Sequence, residues 1–386
     1  MGQGKQTLIN LLDLHYFWPL LEQLSPYAVT SLSVIANQRY STNMTPSTSP
    51  AKPSTWVQQH LPKIGLGGVA IGNEFEYVSD QAAEQTLQAA WQAGVRYYDV
   101  SPWYGLGLAE RRYGHFLHNQ KRQEYFVSSK VGKLLRAGKT NKGAEYFPYA
   151  HSPNDVIFDY TADGVRRSIE DSLQRLGIDS LDIVFVHDLS PDNKLLTTDW
   201  LDQFAIAQKG AFPTLSKLRD EGIIKGWGLG VNCPEPILKT IDAADPDVFL
   251  LASQYSLIDH GYALKHVFPA IRERNLSLVM GSNLNAGFLS GSERYNYDLQ
   301  KPIKQEYLQK RDQLRAIAQQ YEVDLRTASL QFALYPDVAV SVIPGARTGE
   351  QVAQNVESLH ASIPEDFWQA LREQQLIEAD APTKPQ

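Results

Sequence analysis

Gly65-Leu66-Gly67-Gly68-Val69-Ala70 is the stretch on which the fold turns. Its spacing fits GxGxxA, the fingerprint at which a strand of a doubly wound sheet gives way to a helix that holds a pyrophosphate. That reading needs a helix directly after the glycines and an acidic residue about 20 positions on, on the next strand. Gly72, Asn73 and a short polar turn follow instead, and the next strand's acid, Asp99, arrives much later. The doubly wound sheet is rejected, and Ile64–Val69 is read as the first strand of another α/β architecture.

Outward from this stretch, short β-branched runs alternate with segments whose apolar residues recur every three or four positions. Further strands are predicted at Val95–Val100, Tyr125–Lys130, Leu181–His187, Lys225–Val231, Val248–Gln254, Leu276–Gly281 and Ala339–Ile343. Helices are predicted at Gln81–Ala93, Gly164–Leu176, Ala211–Glu221, Ala263–Arg274 and Ile303–Tyr321. Eight strands alternating with helices over about 300 residues predict a (β/α)8 TIM barrel.

The 386-residue chain is 43% hydrophobic and 20% charged, an ordinary globular balance. Its net charge of −7 offers no footprint for nucleic acid. No apolar run reaches the roughly 20 residues of a spanning helix, so no membrane partner is expected. A single cysteine, Cys233, excludes a disulfide framework and a cysteine-based zinc site. No metal is expected, and a cytoplasmic location fits this cysteine usage.

Residues 1–55 stand apart from a barrel domain spanning 56–386. Between Gln6 and Leu24 apolar residues fall at helical spacing, which predicts an amphipathic helix. Ser41–Thr55 is dominated by Ser, Thr and Pro and reads as a flexible linker. Translation is expected to begin at Met44, inside that linker, because this start removes only the segment that matches nothing in the barrel.

In a barrel, catalytic groups stand at the C-terminal ends of strands. Asp99, Lys130 and His187 each close an apolar run, and Asn232 and Gln254 close two more. Singly, a strand-end Asp or Asn is a cap or turn residue, and a Lys is solvated surface. Five polar strand ends would converge on one mouth, which capping does not require.

The stretch Tyr98-Asp99-Val100-Ser101-Pro102-Trp103-Tyr104-Gly105 resembles the aldo-keto reductase family. Ser129-Lys130-Val131-Gly132, Val186-His187-Asp188, Gly230-Val231-Asn232, Ser253-Gln254-Tyr255 and Ile343-Pro344-Gly345-Ala346-Arg347-Thr348 continue the likeness in order. The resemblance implies hydride transfer between a nicotinamide and the carbonyl carbon of a small aldehyde, ketone or sugar, with Tyr104 exchanging the proton at the oxygen. A phenol has a reference pKa of about 10, and a nearby ammonium lowers it. Lys130 is expected in that role, with Asp99 holding the ammonium charged and His187 orienting and polarising the carbonyl.

By the same resemblance, Asn232 and Gln254 would bond the nicotinamide carboxamide. Ser282, Leu284 and Gly287, in the loop from Gly281, would hold the pyrophosphate, with Gly68 also beside the cofactor. Gly345, Arg347, Gln351 and Asn355 would line the adenosine end, where a helix N-terminus and an arginine suit a phosphate. Two positions depart from the family pattern. Gly281 stands where many members carry an aromatic residue that stacks on the nicotinamide, so another side chain supplies the stack or hydrogen bonds hold the ring. Gln351 stands where many NADP-preferring members have an arginine; Arg347 favours NADP, and NAD stays open.

Trp103 and Tyr146 are expected to wall the substrate pocket. The long loop Lys133–Asp159 reads either as part of that wall or as packed surface. Cys233 has no partner that would make it a nucleophile and reads as packing. The Ile64–Gly68 and Gly230–Asn232 motifs look closest to the branch that oxidises fucose-type aldoses. Some relatives, such as potassium-channel β-subunits, keep barrel and cofactor but act as regulatory partners, which is the alternative role for this chain. No motif fixes the oligomeric state.

Overall fold

The computed structural model describes residues 53–138, 143–297 and 302–386. The predicted helix Gln6–Leu24, Met44 and most of the predicted linker lie outside the described residues. Three strands, β1 (Leu66–Gly67), β2 (Tyr97–Asp99) and β3 (Phe126–Val131), lead into a hairpin of β4 (Lys133–Ala137) and β5 (Asn154–Phe158). Then follow β6 (Ile183–His187), β7 (Gly226–Val231), β8 (Val248–Ala252), β9 (Ser277–Gly281) and β10 (Ala339–Ile343). The sheet order β1-β2-β3-β6-β7-β8-β9-β10 is parallel throughout. It closes on itself, because Gly65 N donates to Val342 O (2.8 Å) and Gly67 N to Pro344 O (3.1 Å). The fold is a (β/α)8 barrel, and the eight strands are those read from the sequence.

After the glycine-rich stretch comes only a short 3-10 turn, Ala70–Gly72, so the helix a dinucleotide fingerprint requires is absent there. The predicted helix Ala263–Arg274 divides into a π-type turn, Ala263–Val267, and Phe268–Glu273. Pro269 lacks the N–H that a continuous ladder needs. Helix Pro53–His60 takes in the last residues assigned to the linker. Proline suits a first helical position, where its missing N–H has no partner anyway. The buried Val57 and Leu61 pack into the interior cluster with Tyr97, Ile183, Phe185 and Val279, so this helix plugs one end of the barrel.

Alternation along each strand sends one set of residues inward and the other against the helices. In β7, Trp227, Leu229 and Val231 face the outer core, which leaves Gly226, Gly228 and Gly230 facing in. A Cβ on Gly230 would stand 3.3 Å from Phe185 Cβ and 3.5 Å from Lys130 Cε. The glycines thus cede interior volume to Phe185 and to the stem of Lys130. At Gly228 a Cβ would lie 1.9 Å from the Val248 carbonyl oxygen, a backbone contact that no rotamer relieves.

Gly228→Ala should therefore destabilise the barrel by about 2 kcal/mol or more, against an unfolded-state gain of under about 1 kcal/mol. Urea unfolding checks this; an unchanged midpoint would contradict the packing described.

Candidate active site

The inward ends of β2, β3 and β6 place Asp99, Lys130 and His187 on one rim. Asp99 Oδ2 accepts from Lys130 Nζ at 2.7 Å, and Asp99 Oδ1 accepts from Ser128 Oγ at 2.7 Å. Ser128 Oγ is itself 2.9 Å from Tyr97 Oη, and Lys130 also donates to Val100 O at 3.0 Å. Both charged side chains are almost fully buried. Burial pulls the Lys130 pKa below the usual lysine value, while Asp99 opposes that shift.

Tyr104 follows β2 on a turn in which Gly105 has φ +63, and a Cβ there would lie 2.3 Å from Gly72 O. The glycine after the tyrosine is thus demanded twice, by conformation and by close approach. Lys130 Nζ lies 4.7 Å from the Tyr104 ring centroid, and the His187 ring meets Tyr104 edge-on at 5.8 Å. Burial first, then the carboxylate of Asp99 and the nearby Tyr297, Asp188 and Glu74, holds the Tyr104 phenol well above its ordinary pKa. Sequence reasoning expects Lys130 to lower it; instead, the Lys130 charge is already matched by Asp99, and desolvation prevails.

Burial also drives the His187 pKa well below its usual value, so the imidazole is neutral. Ser101 Oγ accepts from Trp103 N at 3.0 Å and lies 3.0 Å from His187 Nδ1. The serine proton is then free to point at Nδ1, which places the imidazole proton on Nε2. Asp188, at φ 44, turns the chain sharply after β6. Its carboxylate accepts from Lys133 Nζ at 2.5 Å and from Asn232 Nδ2 at 3.4 Å. Lys133 lies over the Trp103 ring at 4.5 Å.

A cavity of about 500 Å³ runs from this cluster along the barrel mouth. Asn232, Ser282, Leu284, Gly287, Gly345, Arg347, Gln351, Asn355 and Trp103 line it, as do all four residues of the catalytic prediction. Three predicted residues do not. The Gly68 amide donates to Asp99 O at 2.8 Å, and Gly67 lines the wall instead. Gln254 Nε2 donates to Asn232 O at 2.7 Å and so braces Asn232 from behind. Tyr146 is 39% exposed and packs on Trp103 at 5.4 Å, outside the cavity. The long loop holds the β4–β5 hairpin, with register Lys133↔Phe158 to Ala137↔Asn154.

Sequence reasoning missed Glu74, Lys133, Asp188, Arg294, Tyr297 and Arg326. Asp188 sits in the quoted Val186-His187-Asp188 motif and was discoverable as a polar strand-end neighbour; the others lie where no periodic pattern points inward. Glu74, Asp188, Arg294, Tyr297 and Arg326 all line the cavity. At the far end, Thr348 caps helix Gly349–Ser358, Gln351 Oε1 accepts from Arg347 N at 2.8 Å, and Arg347 pairs with Glu76. The buried Asn283 also lines this cavity, and its Oδ1 has no partner among the described residues. Such a donor set, amides at one end and guanidiniums with a helix N-terminus at the other, suits a dinucleotide. Cys233 is half-buried beside Asp192, which together with burial pushes its thiol pKa up. Among the described residues no helix is long and apolar enough to cross a membrane.

The aldo/keto reductase family model matches residues 63–375. D-threo-aldose 1-dehydrogenase of Pseudomonas sp is 35% identical over 86% of this chain and 98% of its own. Pyridoxal 4-dehydrogenase of Microbacterium luteolum is 35% identical over 81% and 94%. Among solved structures, an aldo-keto reductase of Bacillus halodurans in its holo form shares the fold at TM-score 0.63 and 22% identity, covering 83% of this chain and 94% of that one. The glycerol dehydrogenase of Gluconobacter oxydans does so at TM-score 0.61 and 22% identity, covering 84% and 95%. With the barrel and its polar mouth in place, the chain belongs to the aldo/keto reductase family and is an oxidoreductase.

Proposed function

We propose that this enzyme oxidises an aldose at its anomeric carbon, or runs the same chemistry as a carbonyl reductase, with Tyr104 as general acid and base. The observation that carries this reading is the buried Asp99–Lys130–Tyr104–His187 cluster at one end of an elongated cavity. The two relatives at 35% identity are named as dehydrogenases of an aldose and of pyridoxal, which favours oxidation. Asn232, on the cavity lining, would hold a nicotinamide, which would supply or accept the hydride when bound. Asn283, whose amide oxygen has no partner among the described residues and which lines the same cavity, would add an acceptor for it.

The protein's own work is on the proton. Tyr104, held protonated by its surroundings, gives its proton to the carbonyl oxygen in reduction. The His187 Nε2 proton fixes that oxygen's direction and stabilises charge growing on it. In oxidation Tyr104 must first lose its proton, and the Lys130 ammonium makes that loss less costly. Asp99 keeps the ammonium charged and still.

For the cofactor we favour NADP. Arg347 and Arg326 both line the far end of the cavity, and two guanidiniums suit an added phosphate better than a bare ribose. Tyr297 lines the cavity together with Ser282, the neighbour of Gly281. It is the ring we assign to the stacking role that Gly281 leaves vacant.

Nicotinamide absorbance, followed with aldoses and simple aldehydes in both directions, tests the reading; tight cofactor binding without any turnover would refute it. Tyr104→Phe should lower turnover by about 10³-fold while cofactor affinity, read by fluorescence titration, stays near wild type. Because the phenol pKa is raised, reduction should be flat across neutral pH and oxidation should climb with pH. Lys130→Met should push the oxidation limb higher still; a pH profile identical to wild type would disprove the coupling. Replacing both Arg347 and Arg326 by Ala should shift preference toward NAD by about tenfold or more, and an unchanged NADP-to-NAD ratio of kcat/KM would defeat the phosphate assignment.

A further inference from the structure

We propose that Glu74 selects polyhydroxylated substrates, its carboxylate accepting a hydrogen bond from a substrate hydroxyl away from the reacting carbon. This rests on the aldose reading above and deepens it by naming the residue that reads the hydroxyls.

Placement comes first. Gly72 packs so closely on the Tyr104–Gly105 backbone that a Cβ there would lie 2.8 Å from the Tyr104 carbonyl carbon. Glu74, two residues on, lines the cavity that Tyr104, His187 and Trp103 also line. The loop carrying it is pinned. Asn73 is buried at φ 59, donates to Tyr149 O (2.9 Å) and accepts from Val78 N (3.2 Å) and Arg112 Nη1 (2.8 Å). Arg112 further donates to Ile71 O, Val78 O and Asp80. Next to it on the cavity lining, Phe75 stacks on Tyr297 at 6.1 Å, with the Arg294 guanidinium 4.1 Å from the Phe75 ring.

Chemistry comes second. Glu74 has no hydrogen bond or ion pair among the described residues. Burial pushes its pKa up to about 7, with Lys133 and Arg294 pulling it down and Asp188 pushing it up. A part-buried acid left so on the cavity wall is unsatisfied by the protein, and a donor on whatever fills the cavity can satisfy it. A carboxyl poised near neutrality accepts when ionised and also donates when protonated, and a neutral substrate hydroxyl, donor and acceptor at once, suits either state. A simple alkyl aldehyde offers none, and an anionic substrate is repelled. The neighbouring acid Asp188 is already matched by Lys133, which leaves Glu74 as the free acceptor on the substrate side.

The test compares wild type, Glu74→Gln and Glu74→Leu in the full chain, with an aldohexose oxidised and butanal reduced. Glu74→Leu should lower the aldose-to-butanal ratio of kcat/KM by about tenfold or more, mainly through the aldose KM. Glu74→Gln, isosteric and still an acceptor, should fall between. A ratio unchanged in both variants overturns the assignment of Glu74 while leaving aldose oxidation intact. Wild-type enzyme that reduces butanal but oxidises no aldose overturns the aldose reading and the inference with it.

Discussion

The Asp99–Lys130 ion pair is the constraint around which the interior is arranged. Two charges with almost no solvent contact are tolerated only when each is matched and its remaining hydrogen-bonding capacity is used. Here Asp99 takes Lys130 and Ser128, Ser128 meets Tyr97, and Lys130 reaches Val100 O. Removing one partner from such a pair costs about 3–5 kcal/mol, because the other is left charged and alone. The room for it comes from β7, whose inward positions are glycines. A strand reading Gly-Trp-Gly-Leu-Gly-Val is therefore a packing instruction: bulk goes outward, and volume is left inside for a lysine stem.

Much of this was legible because barrel strands are short and buried on both faces, so a polar residue at or beside the end of an apolar run stands out, as Asp99, Lys130 and His187 do. Asp99, Lys130 and His187 announced themselves as polar closures of apolar runs. Tyr104 did not; it stands on a turn and was reached only through the likeness of its neighbours to a family. Glu74, Arg294 and Arg326 escaped because cavity-facing loop and helix-end residues carry no periodicity to distinguish them from solvated charges. Gly68 and Gln254 stand one contact back from the cavity lining. Their neighbours Gly67 and Asn232 face the cavity, and they themselves hydrogen-bond the backbone behind it. At this mouth, alternation on a two-residue strand is too short to fix which of two adjacent glycines turns inward.

Electrostatics was the least legible layer. Pairing a lysine with a tyrosine suggested a lowered phenol pKa, yet the sign in the folded protein is set by a sum. Burial of Tyr104 and the carboxylates of Asp99, Asp188 and Glu74 all disfavour a phenolate. Lys130 cannot answer them alone while it neutralises Asp99. On the proposed reading Tyr104 therefore rests protonated, and its use as a base depends on how far the Lys130 ammonium offsets burial and the carboxylates.

That dependence ties substrate choice to proton transfer through the backbone. The turn that holds Tyr104 and the loop that holds Glu74 meet at Gly72 and Gly105, closely enough that neither glycine can accept a side chain without displacing the other segment. Arg112 and Asn73 then fix the remainder of the loop. On the reading proposed above, donor and selector therefore sit on backbone segments packed against each other, and a movement of the backbone at Glu74 must also displace that at Tyr104. Because proton transfer falls steeply with misplacement of about 1 Å, a substrate that fails to satisfy the loop is penalised in the chemical step as well as in binding.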